Sequence, residues 1–281
     1  MTGIINWNEL WRMTRPHTPD MKTQGEYDRE RAKWFNETVK THKVRTEKQI
    51  VPIELDPEYT VLDVGAGTGR LAIPIAKKVK SVTAIDPSRN MLACLRANMK
   101  KEDIANIACI NKRWEDIGLG VDVMPHDVVI ASHSLAILDV QEALTKIDAA
   151  AKKSVYLFTF VKGIRGLMWL DDGLWNEIYD GNYQTWSDHA YLSNILHDMG
   201  IYANTKIWDS EFEQPYDSLN EMVNYWKELY NTPSEKEEIL TEYLLKMSVE
   251  KDGTLYLSGK SKSAMVCWKK NHECTGKVHN I

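Results

Sequence analysis

Short apolar, β-branched runs recur from about residue 60, and between them apolar positions return every three or four residues. Unbroken apolar runs suit strands buried on both faces, and an intervening helix suits a parallel crossover. The pattern predicts strands at Thr60 to Val64, Ser81 to Ile85, Ile107 to Asn111, Asp127 to Ser132 and Ser154 to Phe160, with helices near 70–79, 88–101 and 140–151. A helix from Ser187 to Met199 follows, capped by Ser187 and stopped by Gly200, then a strand at Tyr202 to Asp209. Two further helices are predicted, Asp217 to Tyr230 with one apolar face and Ser234 to Met247 with Ser234 and Glu237 spaced as a capping box, before a last strand at Ser263 to Trp268. This is an α/β chain with a doubly wound, mostly parallel sheet.

Composition narrows the function. The 281 residues are 43% hydrophobic and 27% charged, an ordinary globular profile with material for a sizeable core. Cys94, Cys109, Cys267 and Cys274 form no C-x-x-C pair, and no apolar run is long enough to span a bilayer, so a soluble cytoplasmic protein is expected, with no membrane association. Net charge is +2 over 1–54, zero over 55–160, −11 over 161–255 and +4 over 256–281, and the acidic stretch argues against a nucleic-acid partner. Nine of the ten tryptophans lie outside 55–160. The expected organisation is an N-terminal helical segment (1–54) over the site, an α/β core (55–160), a stretch completing the sheet with helical cap insertions (161–259), and a last strand with tail (260–281). With no long linker, the aromatic-rich parts are expected to fold onto the middle. The tail's His272, Cys274 and His279 read as a solvated end, and no metal is expected.

The strongest local signal is Val61-Leu62-Asp63-Val64-Gly65-Ala66-Gly67-Thr68-Gly69-Arg70. Alternating glycines after a strand let the backbone take unusual torsions and approach a ligand, and free amides at the next helix start favour an anionic group. A dinucleotide fingerprint would need glycine where Arg70 stands, so a pyrophosphate loses support. Asp63 suits a ligand bearing an ammonium group. Asp86, 21 residues beyond Gly65 at the end of the next strand, can accept from both hydroxyls of a ribose.

These residues resemble the class I S-adenosylmethionine-dependent methyltransferases of small-molecule type, specifically at 61–70 and Asp86 and more loosely over 55–210 and 263–269. The resemblance implies a seven-stranded sheet whose last strand is inserted antiparallel, and S-adenosylmethionine as cofactor with S-adenosylhomocysteine as product. It implies that Gly65, Gly67, Gly69, Asp63 and Asp86 hold the cofactor, that Pro87 and Met91 cover adenine, and that Trp114 flanks it. The family's usual acid is missing at Arg113, so that either Glu115 or Asp116 accepts from the adenine amino group or that contact is lost. Ser132 would sit near the methionine moiety, and Arg31, in the segment before the sheet, would hold its carboxylate. Met91 and Arg31 also have plain readings as packed or solvated helix residues.

Methyl transfer needs alignment, exclusion of water and, for some acceptors, removal of a proton. His133, after the fourth strand, is the candidate base by its near-neutral titration, against a reading as a hydrogen-bonded strand end. Trp169, Trp175, Tyr183 and Trp186 are candidate substrate walls, or the private core of a lid. The expected activity is methyl transfer to a small organic molecule, with acceptor atom and oligomeric state open. The alternatives are a non-catalytic cofactor-binding regulator, a protein or RNA methyltransferase and, with least support, a dehydrogenase.

Overall fold

β1 (Thr60–Val64) shows how the sheet divides its residues: Val61 contributes to one core, Leu62 and Val64 to the other. It pairs in parallel with β2 (Ser81–Ile85) on one side and β4 (His126–Ser132) on the other. β3 (Ile107–Ile110) lies outside β2, and β5 (Ala151–Phe160) outside β4. β8 (Thr254–Lys269) is inserted antiparallel between β5 and β6 (Asn204–Tyr216), giving the order β3-β2-β1-β4-β5-β8-β6. The expected seven-stranded arrangement is thus present, and β7 (Ser248–Lys251) joins β8 off this path. The computed structural model describes residues 5–13, 27–41, 43–161, 174–179, 189–230 and 232–270.

One face of the sheet is covered by α1 (Trp7–Met13), α6 (Val140–Ala150) and α8 (His189–Asp198), with Trp11, Leu144 and Ile195 in its core. The Trp11 indole donates to the Ile137 carbonyl at 2.7 Å, which ties α1 down beside α6 rather than over the glycine loop. α3 (Lys43–Ile50), α4 (Ala72–Ala76) and α5 (Arg89–Lys101) pack on the other face through Ile50, Ile75, Leu92 and Leu95. Each such buried side chain contributes about 1.5–3 kcal/mol. α2 (Arg29–Thr41) lies on α5, where Asn36 accepts from Asn98 at 2.6 Å.

The aromatic-rich stretch does more than pack onto the middle, because it builds a third core. α7 (Leu174–Ile178), α9 (Leu219–Tyr230) and α10 (Glu237–Met247) enclose Tyr216, Met222, Trp226, Leu240, Leu244 and Leu257. β6 and β8 reach this core by running well past the strands expected at 202–209 and 263–268. The hairpin from β7 into β8 turns on Asp252 and Gly253, both at positive φ, as a tight two-residue connection requires.

The capping box expected at Ser234 and Glu237 does not form. A 3-10 turn occupies Ser234–Lys236, and the Glu237 carboxylate pairs with Lys227 instead. A related arrangement starts α9, where Ser218 Oγ accepts from Glu221 N at 3.1 Å and the Glu221 carboxylate accepts from Asp217 N at 2.7 Å.

Trp226 is 1% exposed in the third core, so Trp226→Ala is expected to cost roughly 3–5 kcal/mol there. Hydrogen exchange should show faster opening of α9 and α10 with β1 and β4 still protected; uniform loss of protection would show that the third core has no separate stability.

Candidate functional site

β1 touches both β2 and β4, and the connections leaving it and β4 diverge, which opens a crevice at their carboxyl ends. The glycine loop forms one wall. Gly65 and Ala66 donate to the Ile85 carbonyl at 2.8 and 2.9 Å, anchoring the loop to the end of β2. Gly65 (φ +78°) lies against the residue after the β4 turn: a Cβ there would stand 2.2 Å from Ser134 Cβ. At Gly69 (φ +89°) a Cβ would stand 2.2 Å from Leu95 of α5. Gly67 (φ +57°) differs, since its Cβ direction meets only Phe35 of α2, 4.0 Å away. Two of the glycines therefore let elements pack, and the third keeps the loop's outer side open.

The two strand-end acids sit at this loop. Asp86 accepts from Gly67 N and Ser88 N, both at 2.8 Å, and burial raises its pKa against those bonds. Each oxygen keeps a lone pair beyond these contacts. Asp63 is 2% exposed, and among the described residues no donor hydrogen-bonds to it. Burial pushes its pKa up to about 7, against the opposing pull of Arg70. Thr68 Oγ1, in the same loop, is buried without a partner.

The second wall is α3. Arg70 donates to Thr46 Oγ1, Gln49 Oε1 and Ser132 Oγ at 3.2, 2.6 and 3.0 Å. Arg45 donates to His133 Nε2 at 2.7 Å, and its guanidinium lies 5.2 Å from the centre of the Phe160 ring. His133 and Phe160 stack with ring centres 4.1 Å apart. Arg45, Arg70, Ser132, His133 and Phe160 each keep an accessible fraction, while Arg45 Nε and His133 Nδ1 lie buried without a partner. That combination describes the lining of a recess.

His133 is not arranged as a base. It has a positive φ of 55°, which turns its ring from the end of β4 toward α3. There Nε2 faces donors from Arg45 and, at 3.3 Å, Gln49. The network therefore assigns the proton to Nδ1 and leaves no lone pair free for an acceptor's proton. Burial first, then Arg45 and Arg70, hold its pKa well below the ordinary value. The ring of the expected base accepts from Arg45 instead.

Other expected residues divide. Ser132 is at the site through Arg70. Met91, buried at the start of α5, and exposed Pro87 flank Ser88 beside Asp86. Arg31 is not brought to the methionine end: its guanidinium lies over the Tyr27 ring at 5.2 Å. Trp114 is committed to the sheet core, 4% exposed, with its indole donating to the Ala143 carbonyl at 3.2 Å. Glu115 and Asp116 are exposed, and Glu115 with Arg113, 4.0 Å apart on the same turn, lines one wall of a groove of about 320 Å³ between that turn and the 136–146 stretch. Trp175 falls on α7, its side chain undescribed, while Trp169, Tyr183, Trp186 and the tail residues His272, Cys274 and His279 lie outside the described residues. No cluster of metal-binding side chains occurs among the described residues. Sequence reasoning missed Arg45, Gln49 and Phe160, and treated Arg70 only as a departure from a glycine motif.

A family model described as a methyltransferase domain matches residues 61–154. An uncharacterized protein of Haemophilus influenzae is 29% identical over 74% of this chain and 75% of its own length. A protein of Methanococcus maripaludis named as a probable cobalt-precorrin-6B C(15)-methyltransferase (decarboxylating) is 43% identical over 65 residues, 23% of this chain and 36% of that relative. Among solved structures, a Bacillus halodurans protein described as a candidate methyltransferase superposes with a TM-score of 0.55 at 18% identity, covering 81% of this chain and 99% of that one, a likeness of fold.

The glycines make distinct predictions. Gly65→Ala combines backbone strain with collision against Ser134 and should cost about 2–4 kcal/mol in urea unfolding, whereas Gly67→Ala should cost only about 1 kcal/mol. Equal costs would contradict the division of roles.

Proposed function

We propose that the chain is a class I S-adenosylmethionine-dependent methyltransferase, a reading supported by the methyltransferase-domain match over 61–154, and that it methylates a small organic molecule held between α3 and the ends of β4 and β5. The observation that carries the reading is Asp63, a buried carboxylate without a donor beside a glycine loop whose outer side is open. An ammonium group there would supply the direct hydrogen-bond donor that Arg70, acting on Asp63 only electrostatically, does not.

The residues present fit the cofactor. Asp63 would pair with its amino group, Asp86 would accept from the ribose hydroxyls, and the open side of Gly67 would let the backbone approach. The groove by Arg113 and Glu115 adjoins the place expected for adenine. When bound, S-adenosylmethionine supplies a methyl group already activated on a sulfonium. The protein's own work is then alignment and exclusion of water, because His133 is engaged with Arg45. This favours acceptors that reach the site as free nucleophiles. A small acceptor is further supported by the net charge of −11 over 161–255, which would repel RNA. The likeness to the cobalt-precorrin enzyme spans about a third of that protein and does not extend to its acceptor.

Two titrations test the reading, with S-adenosylhomocysteine as the calorimetric ligand. Asp86→Ala should weaken binding roughly 10- to 100-fold, the worth of one or two charge-assisted hydrogen bonds; unchanged affinity would remove Asp86 from the site. Asp63 pairs with an ammonium only when ionised, and its pKa of about 7 places that change near neutrality. Affinity should therefore rise about tenfold between pH 6 and pH 8. Asp63→Asn should abolish the rise and bind more weakly at pH 8; a wild-type affinity independent of pH would contradict the pairing.

A further inference from the structure

Arg45 has a chemistry the proposed reaction leaves unused. Two arginines enter the recess, and they are provided for differently. Arg70 spends its donors on Thr46, Gln49 and Ser132 and is the arginine that acts electrostatically on Asp63. Arg45 has one hydrogen bond, to a neutral imidazole, and its Nε is buried without a partner. Among the described residues no carboxylate pairs with it. The charge felt most by Arg45 is that of Arg70, which repels it, while burial pushes its pKa down to about 9. A positive group is thus kept inside the recess with no carboxylate among the described residues to balance it.

An unbalanced buried cation costs several kcal/mol, and a guanidinium is matched best by a planar anion that takes two parallel N–H donors. The flat face of Phe160 lies beside the same guanidinium, with His133 stacked on that ring. His133 fixes the fork by accepting from Nη2; Nε beside it is buried, and Nη1 is the end left to meet a ligand. The amino-acid end of the cofactor is not the natural partner. Asp63, which would take its ammonium, is coupled to Arg70 and Asp86, whereas Arg45 stands farther along, against the ends of β4 and β5.

We infer that the acceptor molecule carries a carboxylate, that Arg45 recognises it from a fork oriented by His133, and that Phe160 supports the adjoining planar part. The inference rests on the methyltransferase reading and assigns its acceptor to a chemical class. A phosphate is the poorer fit, since Arg70 has its donors engaged by Thr46, Gln49 and Ser132, and a single guanidinium edge matches a planar group better than a tetrahedral one.

The probe is sodium benzoate, with benzamide as its neutral match, titrated into the S-adenosylhomocysteine-loaded protein and followed by ligand-observed NMR. Benzoate is expected to bind in the millimolar range at least tenfold more tightly than benzamide. Arg45→Gln should abolish that preference while S-adenosylhomocysteine affinity stays within about threefold, and Arg45→Lys, which keeps the charge but not the fork, should retain part of it. Thermal unfolding checks that both variants fold; if Arg45→Gln does not, the wild-type preference and Arg45→Lys still decide. Equal binding of benzoate and benzamide, tighter binding of inorganic phosphate than of benzoate, or a preference that survives Arg45→Gln would each overturn the inference. So would a tenfold loss of S-adenosylhomocysteine affinity in a folded Arg45→Gln, which would assign Arg45 to the cofactor. Failure of the wild-type protein to bind S-adenosylhomocysteine would instead overturn the reading on which the inference rests.

Discussion

Between the ends of β1 and β4 the protein keeps Asp63 from water with no hydrogen-bond donor beside it among the described residues, and it turns two arginines into the same recess. None of this helps the ligand-free fold. Desolvating an ion costs several kcal/mol unless a partner repays it, and here repayment is incomplete: Asp63 is pushed toward its neutral form, Arg45 and Arg70 toward theirs. The stability that carries this cost comes from the two sheet cores and the third core under the cap. A zwitterionic amino-acid group and an anionic acceptor are the ligands that would remove the imbalance.

Rigid elements hold the imbalance in place. Gly65 is fixed against Ser134, so the β1 and β4 turns are set relative to each other by direct packing. The Asp86 carboxylate fastens the loop from the β2 side through Gly67 N. α3 closes the arrangement by bonding Arg70, Ser132 and His133 from above, and His133 adopts a left-handed backbone to meet it. A strained residue that presents its ring to a guanidinium is better explained by orientation of that guanidinium than by proton transfer. Elsewhere Trp34 of α2 and Tyr225 of α9 meet with ring centres 4.4 Å apart, which joins the third core to the helix lying on α5.

How far the sequence could be read follows from how local each signal is. β1 and β2 are found at the expected residues because parallel inner strands are apolar runs ended by acids. Asp63 and Asp86 were legible for the same reason, as strand-end acids flanking a glycine loop. Trp114 misled because a lone indole gives no sign of which face of a turn it takes. Arg45 carried no signal in the sequence, because only the packing of α3 across the sheet edge brings it to His133. The long outer halves of β6 and β8 were hidden by their many charged residues, yet Asp252-Gly253 was a readable hairpin signal.

A crystal structure of the protein grown with S-adenosylhomocysteine at pH 8 tests the central claim most directly, because it records which atoms meet the unmatched charge. The account predicts the ligand's amino group on the Asp63 carboxylate, its ribose hydroxyls on Asp86, and the Arg45 guanidinium still turned toward His133 and away from the ligand's carboxylate. A ligand amino group held elsewhere, with the Asp63 carboxylate still accepting from no donor, would contradict it.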